Sequence, residues 1–177
     1  MNIDLLKSHL RSIPDFPKPG ILFRDVTTVF KSQECLNELS NSLSDYYKGK
    51  GITKVLGIES RGFIMGSIIA NYIGAGFVPV RKPGKLPAEV ISQEYTKEYG
   101  TDTVEIHKDA LSSDDIVLIH DDLLATGGTM RAAYDLCKKL GIKKIYINCI
   151  IELTDLKGRK QLPEDVDVYC PICYEGE

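Results

Sequence analysis

The segment that most restricts the fold is Ile116-Val117-Leu118-Ile119-His120-Asp121-Asp122-Leu123-Leu124-Ala125-Thr126-Gly127-Gly128-Thr129. An apolar run, two adjacent carboxylates and a Thr-Gly-Gly-Thr turn call for a buried strand, a tight loop and a helix opening on unpaired backbone N–H groups. A strand apolar on both faces needs cover on both sides, so this stretch already asks for an α/β layer structure. The same alternation recurs along the chain. Strands are expected at 54–58, 77–80, 116–119 and 144–151, with helices over 62–72 and about 129–140. The predicted fold is a mainly parallel sheet flanked by helices, with ligands at the carboxyl ends of its strands.

The N-terminal part adds an amphipathic helix over 2–12, marked by Ile3, Leu6 and Leu10, and an arm built on Pro14-Asp15-Phe16-Pro17-Lys18-Pro19-Gly20, whose prolines fix three φ angles. A second helix is expected over 32–48, from the spacing of Leu36, Leu39, Leu43 and Tyr46, with Gly49 and Gly51 as its stop. Residues 81–103 do not fit the compact alternation: they are polar, with two prolines, two glycines and no helical period. Such a long connection is usually functional, and Tyr95 and Tyr99 among its charges point to a flexible lid or hairpin over a ligand.

Composition narrows the function. With 177 residues the chain fits one domain, 1–177, and 22 Lys plus Arg against 25 Asp plus Glu leave a net charge of −3. No general attraction to nucleic acid or to an anionic membrane follows, and any anion site must be local. No apolar run approaches the roughly 18 to 20 residues of a membrane span, and the first residues do not read as a signal peptide, so the cytoplasm is the expected compartment. The five cysteines, odd in number and mostly in apolar segments, read as reduced, packed thiols. Cys170-Pro-Ile-Cys173 lacks a second CxxC or a histidine pair, and is assigned to packing. His9, His107 and His120 receive no chemistry.

The turn after the strand reads as a phosphate cradle. Gly127 and Gly128 let the backbone approach an anion, Thr126 and Thr129 add hydroxyl donors, and the helix dipole favours negative charge. Asp121 and Asp122 cannot serve that phosphate. Their chemistry suits either the hydroxyls of a vicinal diol or a hydrated cation. Two other phosphate motifs are absent: there is no G-x-x-x-x-G-K-[ST], and Gly74-Ala75-Gly76 lacks the third glycine of a dinucleotide fingerprint.

Asp121 to Thr129 in this context resembles the phosphoribosyl-pyrophosphate (PRPP) motif of type I phosphoribosyltransferases. Pro14 to Thr28, Gly57-Ile58-Glu59-Ser60-Arg61-Gly62, Arg81-Lys82 with Gly84-Lys85-Leu86-Pro87, Glu98-Tyr99-Gly100, Glu152-Leu153 and Leu156-Lys157-Gly158-Arg159 extend the resemblance, over nearly the whole chain, to the adenine-specific branch of that family. The resemblance implies the type I phosphoribosyltransferase fold and a Mg²⁺-dependent reaction of adenine with PRPP to give AMP and pyrophosphate, in a homodimer.

It also implies roles for residues. Asp121, Asp122, Ala125, Thr126, Gly127, Gly128 and Thr129 would hold the ribose and its 5-phosphate, the two aspartates lying near the metal, directly or through water or substrate. Ser60, Arg61, Arg81, Lys82 and Lys85 would meet the pyrophosphate, where a turn after a strand and the one dense basic cluster supply donors and charge. Leu22, Phe23 and Arg24 would read the purine edge, chiefly through the backbone, with Leu123 packed on the base. In branches using hypoxanthine, guanine or xanthine an aspartate precedes the Thr-Gly and handles the purine proton; here that position is Ala125. Proton handling then falls to Glu98 in the lid beside Tyr99, with Arg61 as the second catalytic group. Another purine base and a non-catalytic PRPP-binding regulator are the alternatives; the chain has no spare length for the DNA-binding domain that the second usually carries.

Overall fold

The computed structural model describes residues 1–96 and 100–175. Helix α1 (Ile3–His9) begins at Asn2, whose side chain accepts from the Leu5 N–H, and stops at Leu10. The arm is a two-stranded antiparallel hairpin of β1 (Arg11–Pro14) and β2 (Leu22–Asp25), with Ser12 opposite Arg24 and Ile13 opposite Phe23. Arg11 fixes its base by donating twice to one oxygen of Asp25, Oδ2, at 3.1 and 2.6 Å. The helix expected over 2–12 is therefore shorter, because Arg11 onward pairs as a strand.

After α2 (Thr27–Lys31), a turn the sequence reading did not foresee, α3 (Gln33–Tyr47) starts from Ser32 as its N-cap. It buries Cys35, Leu39, Leu43 and Tyr47, a stripe at intervals of four. Then β3 (Lys54–Ile58), α4 (Gly62–Ile73) and β4 (Gly76–Val80) form a strand-helix-strand crossover in which β3 and β4 pair in parallel. Gly74, at φ +73, ends α4 in the left-handed conformation that a glycine adopts without strain.

Strand β5 (Val90–Thr96) pairs antiparallel with β6 (Thr101–His107). The pair is tied to the end of β4 by the reciprocal backbone bonds of Arg81 and Glu105, 2.9 and 2.8 Å. Beyond it run β7 (Ile116–Leu124), α5 (Gly128–Lys139), β8 (Lys144–Leu153), two 3-10 turns, and the short strands β9 (Asp167–Tyr169) and β10 (Ile172–Tyr174). The central sheet has the order β10-β8-β7-β3-β4, with β9 also on β8, and every pair in it is parallel. Strand β7 is longer than expected: its pairing to β8 continues through Asp121, Leu123 and Leu124, so the acidic pair lies within the strand and not after it.

Alternate residues of the strands feed two cores. Leu56, Ile58, Val117 and Ile119 pack with Leu136 and Cys137 of α5 and with Val104 and Ile106 of β6. Val55 and Leu118 pack on the other face with Leu39 and Leu43 of α3 and with Met65 and Ile69 of α4. Covering the sheet on both faces is what makes its strands nearly continuous apolar runs.

Candidate active site

The turn between β7 and α5 is shaped by two glycines that belong to different segments. Gly127, at φ +86, is the N-cap of α5, and no side chain caps that helix end. A Cβ on Gly127 would overlap the Gly158 carbonyl oxygen, and one on Gly158 would overlap that of Ala125 and stand 3.1 Å from the Gly127 nitrogen. The chain around Gly158 is brought in by Lys157, itself left-handed at φ +54. The loop is thus pressed against a second backbone, and a cavity of about 80 Å³ opens over it, lined by Asp121 and residues 123–130. A helix N-terminus with free N–H groups over a small cavity suits a tetrahedral dianion.

The two carboxylates before it differ. Asp122 is buried and ion-paired with Arg61, whose Nε lies against its Oδ2. The Arg61 guanidinium also stands over the Phe23 ring, 5.6 Å from its centroid. Asp121 accepts from the Asp122 N–H at 2.8 Å and faces open space on both sides, toward the cradle and toward a second cavity. Burial and the neighbouring Asp122 charge push the Asp121 carboxyl well above its ordinary range. A hydroxyl donor or a cation placed beside it would relieve that cost.

The second cavity, about 160 Å³, is bounded by Glu59, Arg81, Lys82, Tyr95, Asp121 and Thr129 among others. Here the basic cluster turns out to be neutralised from within. Glu59 accepts from Lys85, from the Lys82 N–H at 3.0 Å and from Arg81 Nε at 3.3 Å. Although burial alone would raise it, these partners, Lys85 foremost, hold the Glu59 carboxyl down at about 2. The Lys82 ammonium pairs with Asp102 and lies 3.2 Å from the Tyr95 hydroxyl. Ser60 is exposed on the turn into α4.

On the arm, Phe23 faces the site and meets Phe16 edge to face, 5.1 Å between centroids. Arg24 does not bring its side chain there. Its guanidinium stacks 4.1 Å over the Tyr174 ring and donates to Ser12 at 2.6 Å, so only its backbone is left to face a base. Leu22 sits beside Phe23 in β2, and Leu123 is half-buried at the cradle rim. Glu98 and Tyr99 lie outside the described residues.

His120, fully buried, donates from Nδ1 to Asn148 Oδ1 at 2.7 Å, and burial pushes its pKa down to about 4. Four of the five cysteines are buried, while Cys173 is exposed with its Sγ 3.7 Å from the Cys170 carbonyl.

Four residues gain functional positions that the motif reading did not give them. Glu59 and Asp102 answer the cations, Tyr95 joins the cavity wall, and Gly158 backs the cradle. Glu59 was findable, as an acid at a strand end one residue before Ser60-Arg61 and level with the basic cluster. Gly158 was marked only as part of the resembling stretch Leu156–Arg159; its packing requirement arises from the backbone of Ala125 and Gly127, far along the chain.

The Phosphoribosyl transferase domain family matches this chain over residues 26–173. The adenine phosphoribosyltransferase of Bacteroides thetaiotaomicron is 65% identical over 168 residues, 95% of this chain and 96% of that protein. The crystal structure of adenine phosphoribosyltransferase from Rhodothermus marinus superposes with a TM-score of 0.92 at 47% identity, covering 97% of this chain and 98% of the other. That from Giardia lamblia, complexed with 9-deazaadenine, gives 0.93 at 42% identity and 99% of both chains.

Proposed function

We propose, from the premise that this chain belongs to the phosphoribosyltransferase family and within it to the adenine phosphoribosyltransferases, that it is a pentosyltransferase moving the 5-phosphoribosyl group of PRPP onto adenine, with AMP and pyrophosphate as products. The observation that carries the reading is the pressed glycine turn at the end of β7, with Asp121 standing between it and the cationic cavity. That spacing suits a molecule with a phosphate at one end, a diol in the middle and a diphosphate at the other.

The backbone N–H groups at 127–129 and the hydroxyls of Thr126 and Thr129 take the 5-phosphate. Asp121 takes the ribose hydroxyls. Arg61, Arg81, Lys82 and Lys85, with the Ser60 turn, take the pyrophosphate, exchanging their internal carboxylate partners for it. As the C1′–O bond breaks, C1′ gains positive character and the leaving anion gains charge, and fixed cations stabilise that separation without reorganising. No nucleophilic side chain is needed, because the purine nitrogen attacks C1′ directly.

Mg²⁺ belongs to the reading as well. Among the described residues no cluster of three or more His, Cys, Asp or Glu could cage a metal. A magnesium ion that keeps waters and leans on substrate phosphates needs only one or two carboxylates, and the charge-starved Asp121 fits that use. It would hold the ion directly or through water, and the ion would supply charge opposite the departing pyrophosphate.

The base sits between Phe23 and Leu123, read by the backbone of 22–24; a hypoxanthine in its place would leave buried polar groups unpaired. Glu98 manages the purine proton. The assembly is a homodimer, as the resemblance implies, and its expected compartment is the cytoplasm. Incubation with Mg²⁺, PRPP and each purine in turn tests the reading: pyrophosphate is released with adenine and not with hypoxanthine or guanine. Release with a 6-oxopurine instead overturns the specificity. Glu98→Ala lowers kcat severely with little change in PRPP binding, and an unchanged kcat removes Glu98 from the mechanism.

A further inference from the structure

Two adjacent side chains of the arm leave β2 on opposite faces and reach the body of the molecule. Phe23 turns toward the site, with the Arg61 guanidinium over its ring. Arg24 turns the other way: its guanidinium carbon lies 4.1 Å from the centroid of the Tyr174 ring, and Nη1 donates to Ser12 Oγ at 2.6 Å. The Arg24 Nε is buried and makes no hydrogen bond among the described residues, which leaves the ring face to compensate it. Tyr174 is itself fixed to the central sheet. It stands opposite Leu153 in the pairing of β10 with β8, and its carbonyl accepts from the Thr154 hydroxyl at 3.0 Å. The Lys7 ammonium approaches the same ring, 5.2 Å from its centroid. Two residues before Tyr174, Ile172 is opposite Ile151, and Ile151 is opposite Leu123 of β7. One row across the sheet therefore joins Leu123, which packs on the base in the functional reading, to the strand that holds the arm.

We propose that Tyr174 is a positioning residue for purine binding: by stacking on Arg24 it holds β2, and with it Phe23 and the backbone of 22–24, at a set height over Leu123. The inference rests on the functional reading above and deepens it. A base held flat between two side chains and read by backbone donors and acceptors tolerates little tilt, because hydrogen bonds weaken steeply as their angles open. A two-stranded arm has little stability of its own, so its angle to the sheet has to come from side chains that bridge the two. A planar guanidinium stacked on an aromatic face suits that task, since the stack fixes distance and tilt together. The wall and the floor of the purine slot then share one reference, the β8 edge on which β10 is laid.

Calorimetric titration with AMP and with ribose 5-phosphate separates the base from the sugar phosphate. In Tyr174→Ala the affinity for AMP falls about tenfold, the order expected for a lost cation–aromatic stack, while that for ribose 5-phosphate stays within about twofold. In steady state KM for adenine rises by a similar factor and KM for PRPP stays level. Tyr174→Phe, which keeps the stacking face and drops the hydroxyl, restores AMP affinity. Arg24→Met reads the same contact from the arm without touching the sheet: it weakens AMP as Tyr174→Ala does, and the double variant is no weaker than either single one. Unchanged AMP affinity in Tyr174→Ala, equal weakening of AMP and ribose 5-phosphate, a Tyr174→Phe variant as weak as Tyr174→Ala, or losses that multiply in the double variant each overturn the inference alone. A wild-type protein that binds AMP no more tightly than ribose 5-phosphate overturns the base site of the functional reading, and the inference with it.

Discussion

The two ends of the site solve the same problem, holding phosphate oxygens, by different means. The cradle at 126–129 is built from backbone: glycines, a helix N-terminus and a second chain segment pressed behind it at Gly158. The cavity at the other end is built from charge, and among the described residues Arg61, Arg81, Lys82 and Lys85 each have a carboxylate partner in Glu59, Asp102 or Asp122. A backbone cradle is ready before its ligand arrives and is sensitive to shape. A self-neutralised charge network is stable when empty and must be rearranged on binding, so it is sensitive to charge and pH. Dense cations therefore do not by themselves mark an open anion site, since their internal partners set what a ligand must displace.

If that contrast is right, the most damaging change is geometric. Gly158→Ala forces a methyl into the Ala125 carbonyl and, with no charge altered, costs on the order of 3 kcal/mol or more in stability or PRPP binding. Calorimetry and PRPP kinetics check this, and a variant that behaves as wild type would show that the two loops are not locked together. Next is Asp122→Asn, which leaves the half-buried Arg61 with a neutral partner. A loss of about 3 kcal/mol in stability is expected, measured by denaturant unfolding. A neutral outcome would place Asp122 outside the charge network.

The pH dependence of stability separates the strand beneath the cradle from the charged cavity. His120 is held neutral with its pKa near 4, below the unfolded value of 6.5. Its unfolded form binds the extra proton, so stability falls as pH drops from about 6.5 toward 4, by about 3 kcal/mol, and His120→Gln flattens that window. Glu59 works lower. With its carboxyl near 2 in the fold and 4.5 as the reference value, its contribution is complete above about pH 4.5 and disappears as pH falls through 2. After allowance for solvent screening it amounts to about 1 kcal/mol, and Glu59→Gln removes it. Equal losses for both variants in both windows would erase the distinction between the two ends.

Much of this architecture was legible because it rests on contiguous patterns. The strand, turn and helix at 116–139, the crossover at 54–80 and the span of α3 each announce themselves by local periodicity and punctuation, although the buried stripe of α3 runs through Cys35 and Tyr47 where Leu36 and Tyr46 were expected. The motif DDLLATGGT needs only its own neighbours to be read as a phosphate site. What escaped the reading depends on residues meeting from afar. Strands β9 and β10 are three residues each and form only because β8 offers an edge to pair with. A lid or hairpin was expected after Arg81, but the pairing of β5 with β6 was not, because the proline-containing stretch is too polar to show a strand period and the pair is held by Arg81 and by α5. The extension of β7 through Asp121 and Asp122 defies the polarity of the pair, which Arg61 makes tolerable. Arg24 was placed near the base by its segment, yet an aromatic partner at Tyr174, 150 positions later, turns it away.

A crystal structure of the protein with AMP tests the central claim most directly. The account predicts the phosphate oxygens within hydrogen-bond distance of the backbone nitrogens at 127–129, the ribose hydroxyls on Asp121 and the purine between Phe23 and Leu123. A nucleotide bound with its phosphate among Arg81, Lys82 and Lys85, leaving the glycine turn unliganded, would contradict it.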